Sequence, residues 1–398
     1  LADAEPRLRG SSCFVASAPG RTELGGNHTD HNNGRVLASA VDLDCIAAVA
    51  PSGDDRVSLF SREYPEQLGI SLNNLSPVPA ERNSPMALIR GVGAARQRQG
   101  KAVRGFTAVV DSTCKPGTGL SSSAAFSVLM GGVFSVLEDE APEPLQLARN
   151  GQTAENEFFG KPCGLMDQLS SAAGYTLGID FADPANPAIT RIETNFEDWG
   201  YRLVIIDTGG SHSDLTEEYA AIPEEIGRVT RFLQRDKARG LGVADLLEQA
   251  AALRTAAGDR ALLRVLHFIT EDLRAARQTD ALLQHDYEQF LQLVRKSGNS
   301  SCTLLQNCSS SKNSREQGIL LAIALTAQLF PRAVCRVHGG GFAGTAQAYV
   351  PKDQYDDYQL LMKQVFGEGS VIPVLTGRPG FCHFTATGWK YPETGEDR

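Results

Sequence analysis

The sequence predicts an α+β protein in two lobes, with mixed sheets and helical layers. Three observations carry that prediction. At 398 residues the chain is too long for one simple core and long enough for two packed bodies. Its first half mixes short β-branched runs with helix-length apolar segments, whereas its second half is dominated by long helical patterns closed by two strands. A stretch rich in Pro, Asn and Asp, residues 180–200, separates the halves. The expected lobes are therefore 1–190 and 191–398.

Residues 13–17 read as a short strand, and 36–51 (VLASAVDLDCIAAVAP) as one or two buried strands, because small and β-branched apolar residues persist on both faces. Residues 104–111 read as another. Segment 122–137 is apolar or small on every side, which predicts a buried helix. A second helix is expected over 145–159, stopped by Gly160 and Pro162. Residues 201–207 (YRLVIID) form a strand. Helical patterns follow at 222–239, 243–255, 262–277, 280–297 and 314–329, then strands at 333–337 and 344–350.

Composition narrows the function. Hydrophobic residues make up 42% and charged residues 21%, enough for a sizeable core. The formal net charge of −9 argues against a nucleic-acid partner, which demands a basic face. No apolar run approaches the roughly 20 residues that cross a bilayer, and residues 1–10 are polar, without a secretory core. The chain starts with Leu rather than Met, which predicts residues removed upstream. The eight cysteines contain no CxxC pair, so free thiols in a reducing cytoplasm are expected and a zinc site is not. A cytoplasmic monomer is the expectation.

The most specific segment is PGTGLSSSAA (116–125). Gly117 and Gly119 let backbone approach an anion closely. Leu120 leads into Ser121, Ser122 and Ser123, which can cap the following helix and present hydroxyls and N–H groups. The helix end adds about half a positive charge. The same residues could form an ordinary Gly/Ser helix cap. They are neither a GxxxxGK[ST] loop nor a GxGxxG fingerprint.

This segment resembles the second signature of the GHMP kinases, the group that includes galactokinase, homoserine kinase and mevalonate kinase. Three further segments fall in the matching order. PGRTELGGNHTDHNNG (19–34) resembles the galactokinase signature, usually written GRVNLIGEHTDYNGG. AENEFFGKPCGLMDQLSS (154–171) resembles the galactokinase AEhxFaGxPCGIMDQ segment, and VHGGGFAG (337–344) the third, glycine-rich motif. The resemblance implies the two-lobed GHMP kinase fold with the active site in the cleft between lobes. It implies an ATP-dependent kinase acting on the anomeric hydroxyl of galactose, with Mg²⁺ as cofactor.

The resemblance also implies roles. Asp167 would take or orient the proton of the anomeric hydroxyl, and Arg21 would stabilise charge beside it. Ser123 and Glu155 would hold Mg²⁺ through hard oxygens. Gly117, Gly119, Leu120 and Ser121 to Ser123 would bind ATP. Asn27, His28, Asp30, Gly164, Asp167 and Tyr219 would line the sugar, with Gly339, Gly340 and Gly341 supporting them. Arg264, His267 and Glu271 are expected to be structural. His31 and His338 lie next to motifs.

One departure bears on specificity. The signature carries Glu before HTD, and this chain carries Asn27. An amide does not repel a sugar carboxylate as a Glu would, which leaves galacturonate open beside galactose. A non-catalytic sugar sensor descended from a galactokinase is a further alternative, although Arg21, Asp167, Glu155 and the GLSSSAA run are all intact. The adenine side, where family members carry WxNYVKGV and this chain reads SPMALIRGV (84–92), stays unassigned.

Overall fold

The computed structural model describes residues 13–62, 64, 66–210, 215–385 and 388–391. The N-terminal reading of residues 1–10 lies outside the described residues, as do residues 211–214.

Thirteen strands and eleven α-helices are described. In chain order they are β1 (Phe14–Gly25), β2 (Arg35–Pro51), β3 (Arg56–Ser61), β4 (Leu68–Ser71), α1 (Pro85–Arg98), β5 (Phe106–Ser112), α2 (Ser122–Leu137), α3 (Pro144–Thr153), α4 (Met166–Ala173), β6 (Thr176–Asp180), β7 (Ala188–Ile192) and β8 (Tyr201–Asp207). There follow α5 (Thr216–Phe232), α6 (Val243–Leu247), α7 (Ala250–Ala257), α8 (Asp259–Leu283), α9 (Tyr287–Ser300), α10 (Gly318–Leu329), β9 (Val334–Val337), β10 (Thr345–Pro351), α11 (Tyr355–Phe366), β11 (Val371–Val374), β12 (Cys382–Thr385) and β13 (Gly388–Lys390).

Nine strands form one mixed sheet in the order β13-β12-β1-β2-β5-β3-β4, with β6 also on β2 and β7 on β6. Only β3 and β5 run parallel. The last strands thus return to the first, through Val15 opposite Phe384 and Ser17 opposite Cys382. A second, antiparallel sheet has the order β11-β8-β10-β9.

The cores follow the sheets. One packs β1, β2 and β5 against α1 and α2 through Val49, Phe106, Val133 and Phe134. Another runs between the two sheets, from Leu24, Leu37 and Leu120 to Leu203, Ile205, Phe290 and Tyr349. Leu120, from the Gly/Ser segment, is therefore anchored where the sheets meet.

β2 is one strand of 17 residues rather than two. β1 runs on past residue 17 through Pro19 and Gly20, because register shifts at Pro19/Arg21 and Glu23/Gly25 absorb the proline and glycines. The helix expected over 222–239 starts six residues earlier and ends at Phe232, with Pro223 inside it. The expected break between 277 and 280 falls instead at residues 284–286. There Asp286 Oδ1 accepts the Gln289 N–H and caps α9, while Ala281 and Leu282 are buried. Segment 243–255 splits into α6 and α7, and the helix expected over 145–159 changes to a π-helical turn at Ala154–Phe159. No helix among the described residues is long and apolar enough to cross a membrane. No disulfide joins the cysteines among the described residues.

Candidate active site

The site is built where β1, the start of α2 and the start of α4 converge. Arg21 lies on β1 at a bulge, and its own N–H donates to the Leu120 carbonyl (3.0 Å). That bond fixes the Gly/Ser loop to the strand. The guanidinium, 5% exposed, donates from Nη1 to the Gly119 carbonyl (2.7 Å) and from Nε to Asp167 Oδ1 (2.6 Å). Asp167 stands in the first turn of α4, and its Oδ2 accepts from the Ser121 hydroxyl (2.5 Å).

Ser121 was expected to cap α2 with its side chain. It occupies the N-cap position in the left-handed region (φ 58°), but makes no side-chain cap bond. Its hydroxyl serves Asp167 instead. The first amides of α2 are thereby left without a side-chain acceptor from their own cap, as an anion site requires. Gly119 (φ +72°) has no room for a side chain: a Cβ would lie 2.4 Å from Thr345 Oγ1 and 2.7 Å from His338 Nδ1. Buried His338 also reaches Thr22 Oγ1 (3.0 Å), so its role is to back the loop from the second sheet.

Electrostatics set the carboxylate. Burial alone would raise Asp167, but Arg21, Lys161 and the bonds from Arg21 and Ser121 outweigh it and hold the carboxyl down to about 2. It is ionised at neutral pH and its two oxygens are pinned. Lys161 was not among the residues singled out in the sequence. Its Nζ lies 3.5 Å from Glu155 Oε2, and that carboxylate, followed by Asp167, raises the ammonium above its ordinary value.

Glu155, in the π-helical turn, is buried. Its Oε1 accepts from Gln168 Nε2 (3.0 Å), while Oε2 accepts no hydrogen bond at all. A buried carboxylate oxygen that accepts no hydrogen bond, and faces only the Lys161 ammonium at 3.5 Å, has lone pairs that could serve a hard cation. Ser123 lies in the first turn of α2, half-buried. Among the described residues no three His, Cys, Asp or Glu side chains converge as a metal site.

Asp30 and Gly164 meet directly. A Cβ on Gly164 would lie 1.8 Å from Asp30 Oδ2, so only glycine allows the HTD turn to sit against the segment that leads to Asp167. Asp30 Oδ1 accepts the His31 N–H (2.9 Å). His28, at φ 58°, donates from Nε2 to the Gly340 carbonyl (2.9 Å). Burial lowers its pKa to about 3, so the ring is neutral and Nδ1 is an acceptor. Tyr219 donates to the Gly341 carbonyl (3.0 Å) and covers Gly340. The glycine-rich turn thus joins His28 to Tyr219.

Asn27 behaves differently from the expectation that it contacts the sugar. It has no accessible surface. Its Nδ2 donates to Gly339 O (2.8 Å) and lies 3.2 Å from both oxygens of Glu23, and its Oδ1 accepts from Asn307 (2.9 Å) and Ser301 (3.2 Å). His267 donates to its carbonyl, and Glu271 accepts from Gly26 and Ser297. Arg264 pairs with Glu225 (2.9 Å) and Leu305 O. His267 and Glu271 therefore hold the signature loop from behind, whereas Arg264 ties α8 to α5 and to the Leu305 carbonyl.

Two family models match the sequence that builds this site. Residues 7–51 match the galactokinase galactose-binding signature and residues 87–175 the GHMP kinase N-terminal domain. The chain thus carries a galactokinase galactose-binding signature followed by a GHMP kinase N-terminal domain. The two matches carry Arg21, Asn27, His28 and Asp30, and then the Gly/Ser loop, Glu155, Gly164 and Asp167. The kinase is similar in fold to Lactococcus lactis galactokinase complexed with galactose, at a TM-score of 0.82 and 21% identity over 96% of this chain and 97% of that one. It is also similar to Methanococcus jannaschii mevalonate kinase, at a TM-score of 0.64 and 15% identity over 93% and 100% of the two chains. The GHMP kinase fold is therefore shared, and the chain is a phosphotransferase with an alcohol group as acceptor.

Proposed function

We propose that this kinase transfers the γ-phosphoryl group of ATP to the anomeric hydroxyl of galactose, giving galactose 1-phosphate. The observation that carries the reading is Asp167, ionised and held between Arg21 and Ser121 at the mouth of the Gly/Ser loop. A carboxylate pinned through both oxygens can align an attacking hydroxyl and receive its proton, while Arg21 offsets the charge that develops beside it. The amides at the start of α2 and the backbone of Gly117 to Ser123 would cradle the phosphates. Ser123 and Glu155 would hold Mg²⁺, which neutralises phosphate charge when bound. Asp30 and the acceptor Nδ1 of His28 offer the sugar hydroxyls an anionic and a neutral partner, and Tyr219 closes that side.

Galacturonate is the second reading, motivated by Asn27. The amide's bonds are all made inside the protein, so Asn27 would act on specificity only through Glu23 and the turn it braces. The test is a panel of galactose, galacturonate, glucose, N-acetylgalactosamine and arabinose with Mg·ATP, followed by ADP release. Turnover with galactose far above the rest is expected. Turnover with galacturonate alone would replace galactose as the substrate, and silence with sugar still bound would favour a sensor.

A further inference from the structure

Behind the glycine-rich turn, and apart from the Gly/Ser loop, two cysteines lie side by side on the wall of a cavity. Cys302 lies in a second π-helical turn, Ser301–Leu305, that continues α9. Gln306 in the left-handed region (φ 60°) reverses the chain and brings Cys308 back toward it. The two Sγ atoms are 2.8 Å apart, and a covalent bond needs about 2.05 Å. Both residues line a cavity of ≈470 Å³ shared with Arg264 and Phe342. Cys302 is half-buried, whereas Cys308 is 3% exposed.

We propose that Cys302 and Cys308 form an oxidisable dithiol that a peroxide entering this cavity converts to an intramolecular disulfide. The Cys302 thiolate attacks one peroxide oxygen, breaking the O–O bond and leaving a sulfenic acid and hydroxide. Cys308 sulfur then attacks Cys302 sulfur and displaces that oxygen as water. Two thiols and one hydrogen peroxide give one disulfide and two waters, with two electrons passing from sulfur to peroxide. The order of attack follows the surroundings. The S–H bond from Cys308 lowers Cys302, and the same bond together with burial pushes Cys308 up. Cys335, the other nearby sulfur, is pushed up by burial to about 12 and is a poor competitor.

The crosslink encloses Asn307. That residue donates to Asn27 Oδ1 (2.9 Å) and Gly340 O (3.1 Å) and accepts the Phe342 N–H (2.5 Å). Oxidation therefore fixes the joint between the signature loop and the glycine-rich turn.

The experiment is a hydrogen peroxide titration of the full chain, quenched by unfolding in an alkylating agent, with tryptic peptides read by mass spectrometry. Cleavage after Lys296 and Lys312 places both cysteines, and no others, in peptide 297–312. The expected result is that this peptide loses two hydrogens and takes no alkyl group at peroxide doses that leave exposed Cys13 alkylated. In Cys308→Ser, Cys302 should stop as a sulfenic acid trapped by dimedone. In Cys302→Ser, which asks the same question if the first variant fails to fold, Cys308 should stay alkylatable at those doses. Full alkylation of both cysteines in the wild type once Cys13 is oxidised, or a crosslink from 297–312 to the Cys335 peptide 333–336, would overturn the proposal.

Discussion

At the residue scale, the proposed chemistry rests on Asp167 and Arg21. Asp167→Asn keeps the shape but removes the proton acceptor, so kcat should fall about 10²–10⁴-fold while the melting temperature stays within a few degrees. Near wild-type turnover would remove Asp167 from the chemistry. The pH dependence follows from the same carboxylate. Its folded pKa of about 2 lies below its ordinary 3.8, so its contribution to stability is complete above 3.8 and is lost as pH falls through about 2. It stays charged from pH 5 to 9 and gives kcat/KM no acid limb there. Lys161→Met removes one of the two cations that hold it down, so its pKa should rise and any acid limb should move to higher pH. An acid limb unmoved by that change would separate Lys161 from Asp167. Asn27 makes a different kind of prediction. The signature has Asn where Glu23 stands and Glu where Asn27 stands, and here the two have changed places inside one buried cell with Arg336. Asn27→Glu sets two buried carboxylates together, and should cost about 3–5 kcal/mol in a urea melt. Adding Glu23→Asn should restore most of it; if the double variant is no more stable than the single, the exchange is not compensated. Asp167, Arg21 and Glu155 were legible because their motifs are local. Lys161, Glu23 and Arg336 were not, since what Glu23 faces lies 313 residues away in the chain.

The decisive element is the loop into α2, whose sequence reads as a helix cap and whose structure uses the capping serine for something else. Gly119→Ala tests that loop. A left-handed Ala costs about 1–2 kcal/mol from backbone alone, and its Cβ would press on Thr345 and His338. The KM for ATP should rise tenfold or more, with a lowered melting temperature; an unchanged KM would mean the loop does not bind the phosphates. Elements were legible to different degrees for physical reasons. α2 and β8 match the sequence reading because an all-round apolar helix and a β-branched run fit no other element. The α8–α9 break was misplaced because Asp280 and Asp286 are equally good caps locally, and burial of Ala281 and Leu282 decides between them. The π-helical turn at Ala154–Phe159, which buries Glu155, has no signature in composition at all.

Across the whole molecule, the proposed function depends on parts that one stretch of chain cannot supply. The first sheet contributes Arg21, the helices behind it Ser121, Glu155 and Asp167, and the region beside the second sheet the glycine-rich turn and His338. A network from α8 fastens them: Arg35 and Arg239 both pair with Asp180 and Asp272, linking β2 and β6 to that helix, and Glu271 holds the signature loop. The alternation of strand and helix patterns predicted two layered bodies, but not that Cys382–Thr385 would return to pair with β1, because strand pairing over such a separation leaves no local trace. The central claim is that this assembly phosphorylates a sugar at its anomeric carbon. The most direct measurement is ³¹P NMR of wild type and Asp167→Asn with Mg·ATP and galactose. A phosphate doublet coupled to the anomeric proton in wild type, and absent on the same timescale in the variant, is the predicted result. Phosphate on another hydroxyl, or ADP formed without any sugar phosphate, would contradict it.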